Sequence, residues 1–576
     1  MLSKINLILD SKLKKIIFIF FISITLVSLL EIISLSLVIP LITLILNENL
    51  VLDFVRENFS YLKNYSNSKI IFLMFFFLGF VYFLKAIFFF LFTWMQYTYV
   101  AKIESNLSQS LYAYYLARPY KFFTEVNSSE LIRNITEEVN KFTYYIINNG
   151  LSLLLEIIVI FFIGTFLLIY ETKATIILLI LCSLISLLIL KISNSKVSKW
   201  ALERQFHSKM KIKHIQQGIG AIKEIKVSGK ESFFLKYFNQ HNENYNRISK
   251  FFNIITNIPK IILEFFAILF LIFIVTTAYF SGINNTEILI TLGIFTAAAF
   301  RLIPSFNRLN VGYQNFRFGL PSIDIIYKEK LNLIKSGKLF RLETIKHTSA
   351  KKDMFKKELE IKNLDFDYGN DKILKNINLK IKKNSIIGLV GKTGAGKSTL
   401  VDIILGLQIP TNGNLFLDGK NINEISHNWR GIIGYVPQNL YLLDDTLKKN
   451  IALGIDPDQM DNERILSVLQ SSQLENFIGN LEKGLQTTVG ERGIRLSGGQ
   501  KQRIGIARAL YKDPEILIFD EATSALDYQT EKKIIDTINS LKNQKTIIIV
   551  SHRMSTLNIC DEIFELRDRT LKKFIK

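Results

Sequence analysis

Gly391-Lys392-Thr393-Gly394-Ala395-Gly396-Lys397-Ser398-Thr399 has the residue types and the spacing to hold a nucleoside triphosphate. Glycines let backbone N–H groups close around phosphates, a lysine after them reaches the β/γ-phosphates, and the next hydroxyl ligates Mg²⁺. Here Gly391, Gly394 and Gly396 shape the loop, Lys397 is the lysine, Ser398 is the hydroxyl and Thr399 follows it. The flanks suit the motif. Ile386 to Val390 reads as a strand and Leu400 to Leu405 as a helix. About a hundred residues on comes Leu496-Ser497-Gly498-Gly499-Gln500.

Three further residues fit the same chemistry. Asp520 ends the apolar run Ile516-Leu517-Ile518-Phe519, where a hard cation needs oxygen ligands. Glu521 can polarise an attacking water. His552 follows an Ile-Ile-Ile-Val-Ser strand and can hold the γ-phosphate end, so hydrolysis would rest on positioning and charge stabilisation. Taken in order, the motifs of residues 358–570 resemble the nucleotide-binding domain of ATP-binding cassette (ABC) proteins. That resemblance implies ATP and Mg²⁺ as cofactors. It makes Tyr368 the aromatic that stacks on adenine, and Gln438 the sensor of Mg²⁺ and γ-phosphate. Ser398, Gln438 and Asp520 become the metal site, Glu521 the catalytic base and His552 the switch histidine. Ser497, Gly498, Gly499 and Gln500 become the signature that closes over the partner domain's ATP, opening a helix from Gly498 to Leu510 whose dipole faces the phosphate. Ser524-Ala525-Leu526-Asp527 becomes the loop linking two ATP sites. Because the signature acts in trans, a second copy of the chain is implied, as a homodimer with two competent sites.

The rest of the chain must position this machinery. Of 576 residues 49% are hydrophobic and 12% aromatic, too apolar for an ordinary soluble protein. Six runs before residue 320 are long enough to cross hydrocarbon, which takes about 20 residues: 16–46, 70–98, 142–170, 173–193, 251–280 and 287–312. The first runs past the length of a signal peptide's apolar region. Residues 191–250 carry 13 Lys/Arg, whereas Phe280 to Glu287 carries none. Lys4, Lys12, Lys14 and Lys15 precede the first span. The positive-inside rule then puts the N-terminus, 99–141, 191–250 and the ATPase in the cytoplasm. The formal net charge is +21, but residues 351–576 hold 34 Lys/Arg against 29 Asp/Glu, so the excess sits with the membrane half. Anionic lipid headgroups are its natural counter-charge, and no nucleic-acid motif accompanies it. Cys182 and Cys560 imply no disulfide framework. The Lys, Asn, Ile and Phe bias points to an AT-rich bacterial genome.

The architecture resembles a half-size ABC exporter: an α-helical membrane domain with six transmembrane helices (residues 1–320), a lysine-rich linker (321–357) and an α/β P-loop ABC ATPase domain (358–576). In such exporters short coupling helices dock on the ATPase. Arg118 to Phe123 with Glu130 to Ile135 resembles the first, and Ala221 to Phe234 the second. Two features bear on the cargo. Leu50, Val51, Phe54, Val55, Phe59 and Leu62 roughly follow helical periodicity, so 49–65 reads as an external amphipathic helix or a structured loop. Glu31, Lys85, Glu156, Lys260, Glu264 and Arg301 fall inside spans, where charge is costly and must face a cavity or a partner. Lys85 and Arg301 have no obvious local partner and would suit a phosphate, or would pair with Glu31 and Glu156. Ser36 to Pro40, Ile258-Pro259-Lys260, Phe300 to Arg308 and Ser322 to Tyr327 resemble the PglK family, the bacterial lipid-linked oligosaccharide flippases of protein N-glycosylation. That family implies an external helix at 49–65, a cationic cavity lined by Lys85, Lys260 and Arg301, a polyprenyl-pyrophosphate-linked glycan as substrate and the bacterial inner membrane as location. Its pattern has arginine where Lys85 and Lys260 stand, which keeps the charge but loses the bidentate fork. A lipid A-type or multidrug exporter shares the layout without needing the helix or the cations.

Overall fold

The computed structural model describes residues 2–8, 11–37, 40, 43–44, 48–62, 64–170, 172–282, 285–335, 354–369, 371–425, 429–522 and 528–574. They form two compact units. One comprises Met1–Arg118 and Glu125–Leu342, the other Pro119–Thr124 and Glu343–Lys576.

In the first unit the expected spans are present. Among the described residues six helices are long and apolar enough to cross a membrane. The apolar runs are only parts of them. Asn67–Leu116 and Glu231–Phe280 have 50 residues each, Thr172–Gly220 has 49 and Asn285–Lys335 has 51. At 1.5 Å per residue, 50 residues reach about 75 Å, against about 30 Å of hydrocarbon. Thr172–Gly220 continues past the apolar run because its polar stretch Lys191 to Lys213 contains neither proline nor glycine. The stretch 321–357 therefore begins inside the last helix, and its residues 336–353 lie outside the described set. The first expected span lies in the helix Ser11–Ser36, which follows the short helix Leu2–Ile8, and its expected end, 37–46, is described only in part.

Inward side chains such as Ile24, Phe92, Ile103, Val159, Ile163, Phe295 and Leu302 make one core. Phe76, Phe161, Ile180 and Phe265 point outward and are exposed, as a lipid-facing surface requires. Between Ser128–Arg133 and Asn149–Tyr170 the chain winds as wider π-helical turns at Asn134–Glu138 and Phe142–Asn148. The first turn carries Glu138 inward, Lys141 is buried in the short α-helical stretch Val139–Lys141 between the turns, and Gln205 of the next helix donates to Glu138 Oε2 at 3.3 Å. Arg204, 2% exposed, lays its guanidinium over the Phe318 ring at 4.4 Å. Residues 49–65 contain the helix Glu48–Asn58 and a single turn at Ser60–Leu62. Val51 and Leu52 are buried there, while Phe54 and Phe59 are exposed. The two regions with coupling-helix character form short helices, Tyr120–Glu125 and Ile222–Ser228. Pro119–Thr124 belongs to the ATPase unit.

That second unit holds two sheets. β1 (Glu358–Tyr368), β2 (Asp371–Lys382), β4 (Asn412–Leu417) and β5 (Lys420–Asn421) form an antiparallel sheet in the order β2-β1-β4-β5. β3 (Ile386–Val390), β6 (Ile433–Val436), β7 (Ile516–Asp520), β8 (Thr546–Val550), β9 (Glu562–Arg567) and β10 (Thr570–Phe574) form the other, ordered β10-β9-β3-β8-β7-β6. All its pairings except β9–β10 are parallel. Its central strands are apolar on both faces. Ile516 and Ile518 join the core toward the antiparallel sheet, and Leu517 and Phe519 join the core on the opposite face. Continuous apolar runs are what a doubly covered parallel sheet demands.

Candidate functional site

Parallel strands all end on one edge, and ligands of open α/β sheets bind outside those carboxyl ends. The predicted residues collect there. The P-loop follows β3 and runs into the helix Lys397–Ile404, so Ser398 and Thr399 occupy its first turn. Gln438 follows β6, Asp520 ends β7 with Glu521 next to it, and His552 follows β8.

The loop is shaped for a close approach. Gly391 has φ 152°, and a Cβ on it would meet the Leu566 carbonyl oxygen at 2.5 Å. Gly396 has φ 104°, and a Cβ there would crowd Ile373 and Leu374 at 3.0 Å. Only glycine fits these conformations. Lys397 is buried, and its Nζ donates to the carbonyls of Gly391 at 2.7 Å and Lys392 at 3.1 Å, with Gly394 on the exposed turn between. Burial pushes the ammonium below its ordinary range, against the pull of Glu521 and Asp520. Burial likewise pushes Asp520 up, opposed by a bond from Tyr435 and by Lys397. Both groups are thus held at the cost of desolvation, which a divalent cation and a polyphosphate would relieve. Glu521 sits at φ 48°, a backbone conformation that costs a non-glycine residue about 1–3 kcal/mol and that clusters at functional sites. Its N–H donates to Val550 O at 2.9 Å, which ties it to the end of β8. Gln438 Nε2 donates to Glu521 Oε2 at 2.7 Å, and His552 Nε2 lies 3.4 Å from Glu521 Oε1. A carboxylate so placed, between an amide and an imidazole, can orient and deprotonate a water. Ser398, Gln438 and Asp520 offer the oxygen donors that Mg²⁺ takes.

Other predicted residues lie apart from this edge. Tyr368 ends β1 in the antiparallel sheet, packed edge-on against Phe366 and exposed enough to stack on a base. Ser497 caps the helix Gly498–Tyr511: Gln500 N donates to its Oγ at 3.3 Å, and its own N–H donates to Gln500 Oε1 at 2.8 Å. This reciprocal cap sets Gly498 and Gly499 at a helix N-terminus, as the sequence suggests. Ser524 to Asp527 lie outside the described residues.

The charges within the spans find partners. Glu31, 6% exposed, accepts from Lys85 Nζ at 2.9 Å through Oε2 and from Arg301 Nη2 at 2.9 Å through Oε1. Lys85 and Arg301 therefore meet on one carboxylate. Lys260 pairs instead with Glu264, 4.0 Å away on its own helix, both side chains being more than half exposed. Glu156 takes Arg308 through Nε and Nη2.

Tyr435 and Asp402 escaped the sequence reading. Tyr435 Oη donates to Asp520 Oδ2 at 3.2 Å. Asp402, in the P-loop helix, is pushed up to about 6 by burial and by Asp520 nearby. A weak signal existed for Tyr435: it stands three residues before Gln438, on a strand that leads to the same edge.

Residues 374–524 match the model of the ABC transporter family, and residues 16–302 match that of the ABC transporter transmembrane region. The ATP-dependent lipid A-core flippase of Ralstonia nicotianae is 28% identical over 472 residues, 81% of this chain and 78% of that protein. YgaD of Bacillus subtilis, an ATP-binding/permease protein named for multidrug export, is 28% identical over 482 residues, 82% of this chain and 80% of its own length. In fold the chain is similar to a bacterial Atm1-family ABC exporter with ATP bound. The TM-score is 0.74, at 21% identity, over 96% of this chain and 94% of that one. With a six-helix membrane region followed by a P-loop ATPase region, the chain belongs to the half-size ABC exporters, in which ATP hydrolysis is coupled to transport.

Proposed function

We propose that two copies of the chain assemble in a bacterial inner membrane and move a polyprenyl-pyrophosphate-linked oligosaccharide from the cytoplasmic to the outer leaflet. Mg²⁺-dependent ATP hydrolysis drives the step. Lys397 neutralises the β/γ-phosphates, Tyr368 holds the base, and Ser497 with its helix N-terminus closes over the nucleotide of the other copy. Ser398, Gln438 and Asp520 hold Mg²⁺, which supplies charge stabilisation at the phosphate oxygens. Glu521 takes a proton from the attacking water while Gln438 and His552 fix its orientation.

One observation carries the choice of cargo. Lys85 and Arg301 converge on Glu31 within apolar spans, two cations on one anion. The cluster has a net positive charge where hydrocarbon tolerates charge poorly, and a diphosphate is the complementary partner. Lys260 pairs with Glu264 rather than with this carboxylate. The lipid tail stays in hydrocarbon beside the helix Glu48–Asn58, where Phe54 and, just past the helix end, Phe59 are exposed.

The test is leaflet accessibility of a labelled lipid-linked oligosaccharide in proteoliposomes. Lys85→Ala with Arg301→Ala should abolish its ATP-dependent movement while ATP hydrolysis persists. Undiminished movement would refute the cationic seat. A second reading, export of a lipid A-type glycolipid, is supported by the lipid A-core flippase relative at 28% identity. Wild-type protein that moves only that lipid in the same assay decides for it.

A further inference from the structure

We propose that Tyr435 is a positioning residue for ATP hydrolysis, fixing the Asp520 carboxylate in the orientation that receives the cation. The role rests on the reading above that Asp520 holds Mg²⁺. Tyr435 lies on β6, the edge strand of the parallel sheet, in register with Ile518 of β7. Its hydroxyl donates to Asp520 Oδ2 at 3.2 Å. Three residues on, Gln438 donates to Glu521 Oε2 at 2.7 Å. One strand end thus grips two adjacent acids, one through each side chain.

Asp520 needs such a partner. It is 9% exposed, with Asp402 as an acidic neighbour. A buried carboxylate with both oxygens unbound could rotate about its last bond. The Tyr435 proton occupies Oδ2 and leaves Oδ1 for a cation. Groups that orient a metal-binding carboxylate typically affect cation affinity about 10–100-fold. The single neutral bond here belongs at the low end of that range.

The experiment compares wild type, Tyr435→Phe, Tyr435→Ala and Asp520→Asn as full-length protein in lipid nanodiscs. Mn²⁺ binding is followed by electron paramagnetic resonance with a non-hydrolysable ATP analogue, and unfolding by a thermal scan. Tyr435→Phe keeps the ring and loses only the hydroxyl. The expected result is a wild-type unfolding temperature and Mn²⁺ affinity weakened about tenfold. The Mg²⁺ concentration for half-maximal ATPase should rise by the same factor, with turnover recovered at saturating Mg²⁺. Asp520→Asn should lose the site. If Tyr435→Phe binds Mn²⁺ as wild type does and only Tyr435→Ala is impaired, Tyr435 is a packing residue and the proposal is overturned. If Asp520→Asn binds Mn²⁺ normally, the assignment of Asp520 itself is wrong and the proposal goes with it.

Discussion

Replacing Glu31 by glutamine should cost the membrane unit more than replacing either of its partners. Glu31→Gln keeps the shape and removes the anion that Lys85 and Arg301 share at 2.9 Å each. At an effective dielectric of about 20, a cation about 4 Å from a carboxylate charge gains about 4 kcal/mol before desolvation. The two cations, left without the anion they share, would also repel one another. Removing one member of a buried ion pair typically costs about 3–5 kcal/mol net. Lys85 and Arg301 keep 23% and 20% of their side-chain surface exposed, which argues for the lower end. About 3 kcal/mol at about 2 °C per kcal/mol, the figure for a unit of at least 200 residues, is a fall of about 6 °C in unfolding temperature. Lys85→Met should cost less, because Glu31 then keeps Arg301 in a balanced pair. Combining Glu31→Gln with Lys85→Met should cost less than the sum by about 1–2 kcal/mol. Thermal unfolding of the purified protein in detergent measures all three. An added polyprenyl pyrophosphate should raise the unfolding temperature of Glu31→Gln more than that of the wild type, since an anion replaces the lost one. A wild-type unfolding temperature in Glu31→Gln, or strict additivity in the double variant, would show that the triad is a surface coincidence.

Glu521→Gln retains an oxygen that can accept from Gln438 Nε2, so ATP should still bind while turnover falls about 10²–10⁴-fold; ATP binding and phosphate release assays check both. Gly391→Ala should abolish nucleotide binding in a fluorescent-ATP titration, because its Cβ would sit 2.5 Å from the Leu566 carbonyl. Ser497→Ala removes the cap of the helix Gly498–Tyr511 and should lower ATPase-unit stability by about 1 kcal/mol, measured by denaturant titration. In a variant lacking Cys182 and Cys560, a cysteine at 284 should react with an impermeant label from outside intact cells and one at 215 should not; the reverse pattern overturns the topology.

Local chemistry was the legible part of this chain. The P-loop, the acid ending β7 and the Ser497 cap each depend on neighbours within a few residues, and the sequence reading placed them correctly in strands and helices. The six spans were legible because hydrocarbon selects long apolar runs. Their length was not, because beyond the bilayer the same helices turn polar, and hydrophobicity then gives no edge to read. The pairs that decide geometry were hidden by distance along the chain. Arg301 reaches Glu31 across 270 positions, and Tyr435 reaches Asp520 across 85. Lys260 resembled Lys85 in sequence, yet its helix turns it toward an exposed face with Glu264. Only the packing of helices separates the two lysines.

Long helices also act as mechanical gears. Lys85 stands 31 residues from the end of Asn67–Leu116, about 46 Å along the axis. Pivoted at that point, a tilt of about 5° would shift a neighbour one turn away by about 0.5 Å and the far tip by about 4 Å. A sub-ångström rearrangement among the charges at Lys85 would therefore arrive at the polar end as a stroke approaching the 5.4 Å pitch of one helical turn. Run backwards, the same ratio reduces a coarse movement at the polar end to a fine adjustment near Lys85. A flexible insertion midway should uncouple transport from hydrolysis even with every charged and nucleotide-binding residue intact.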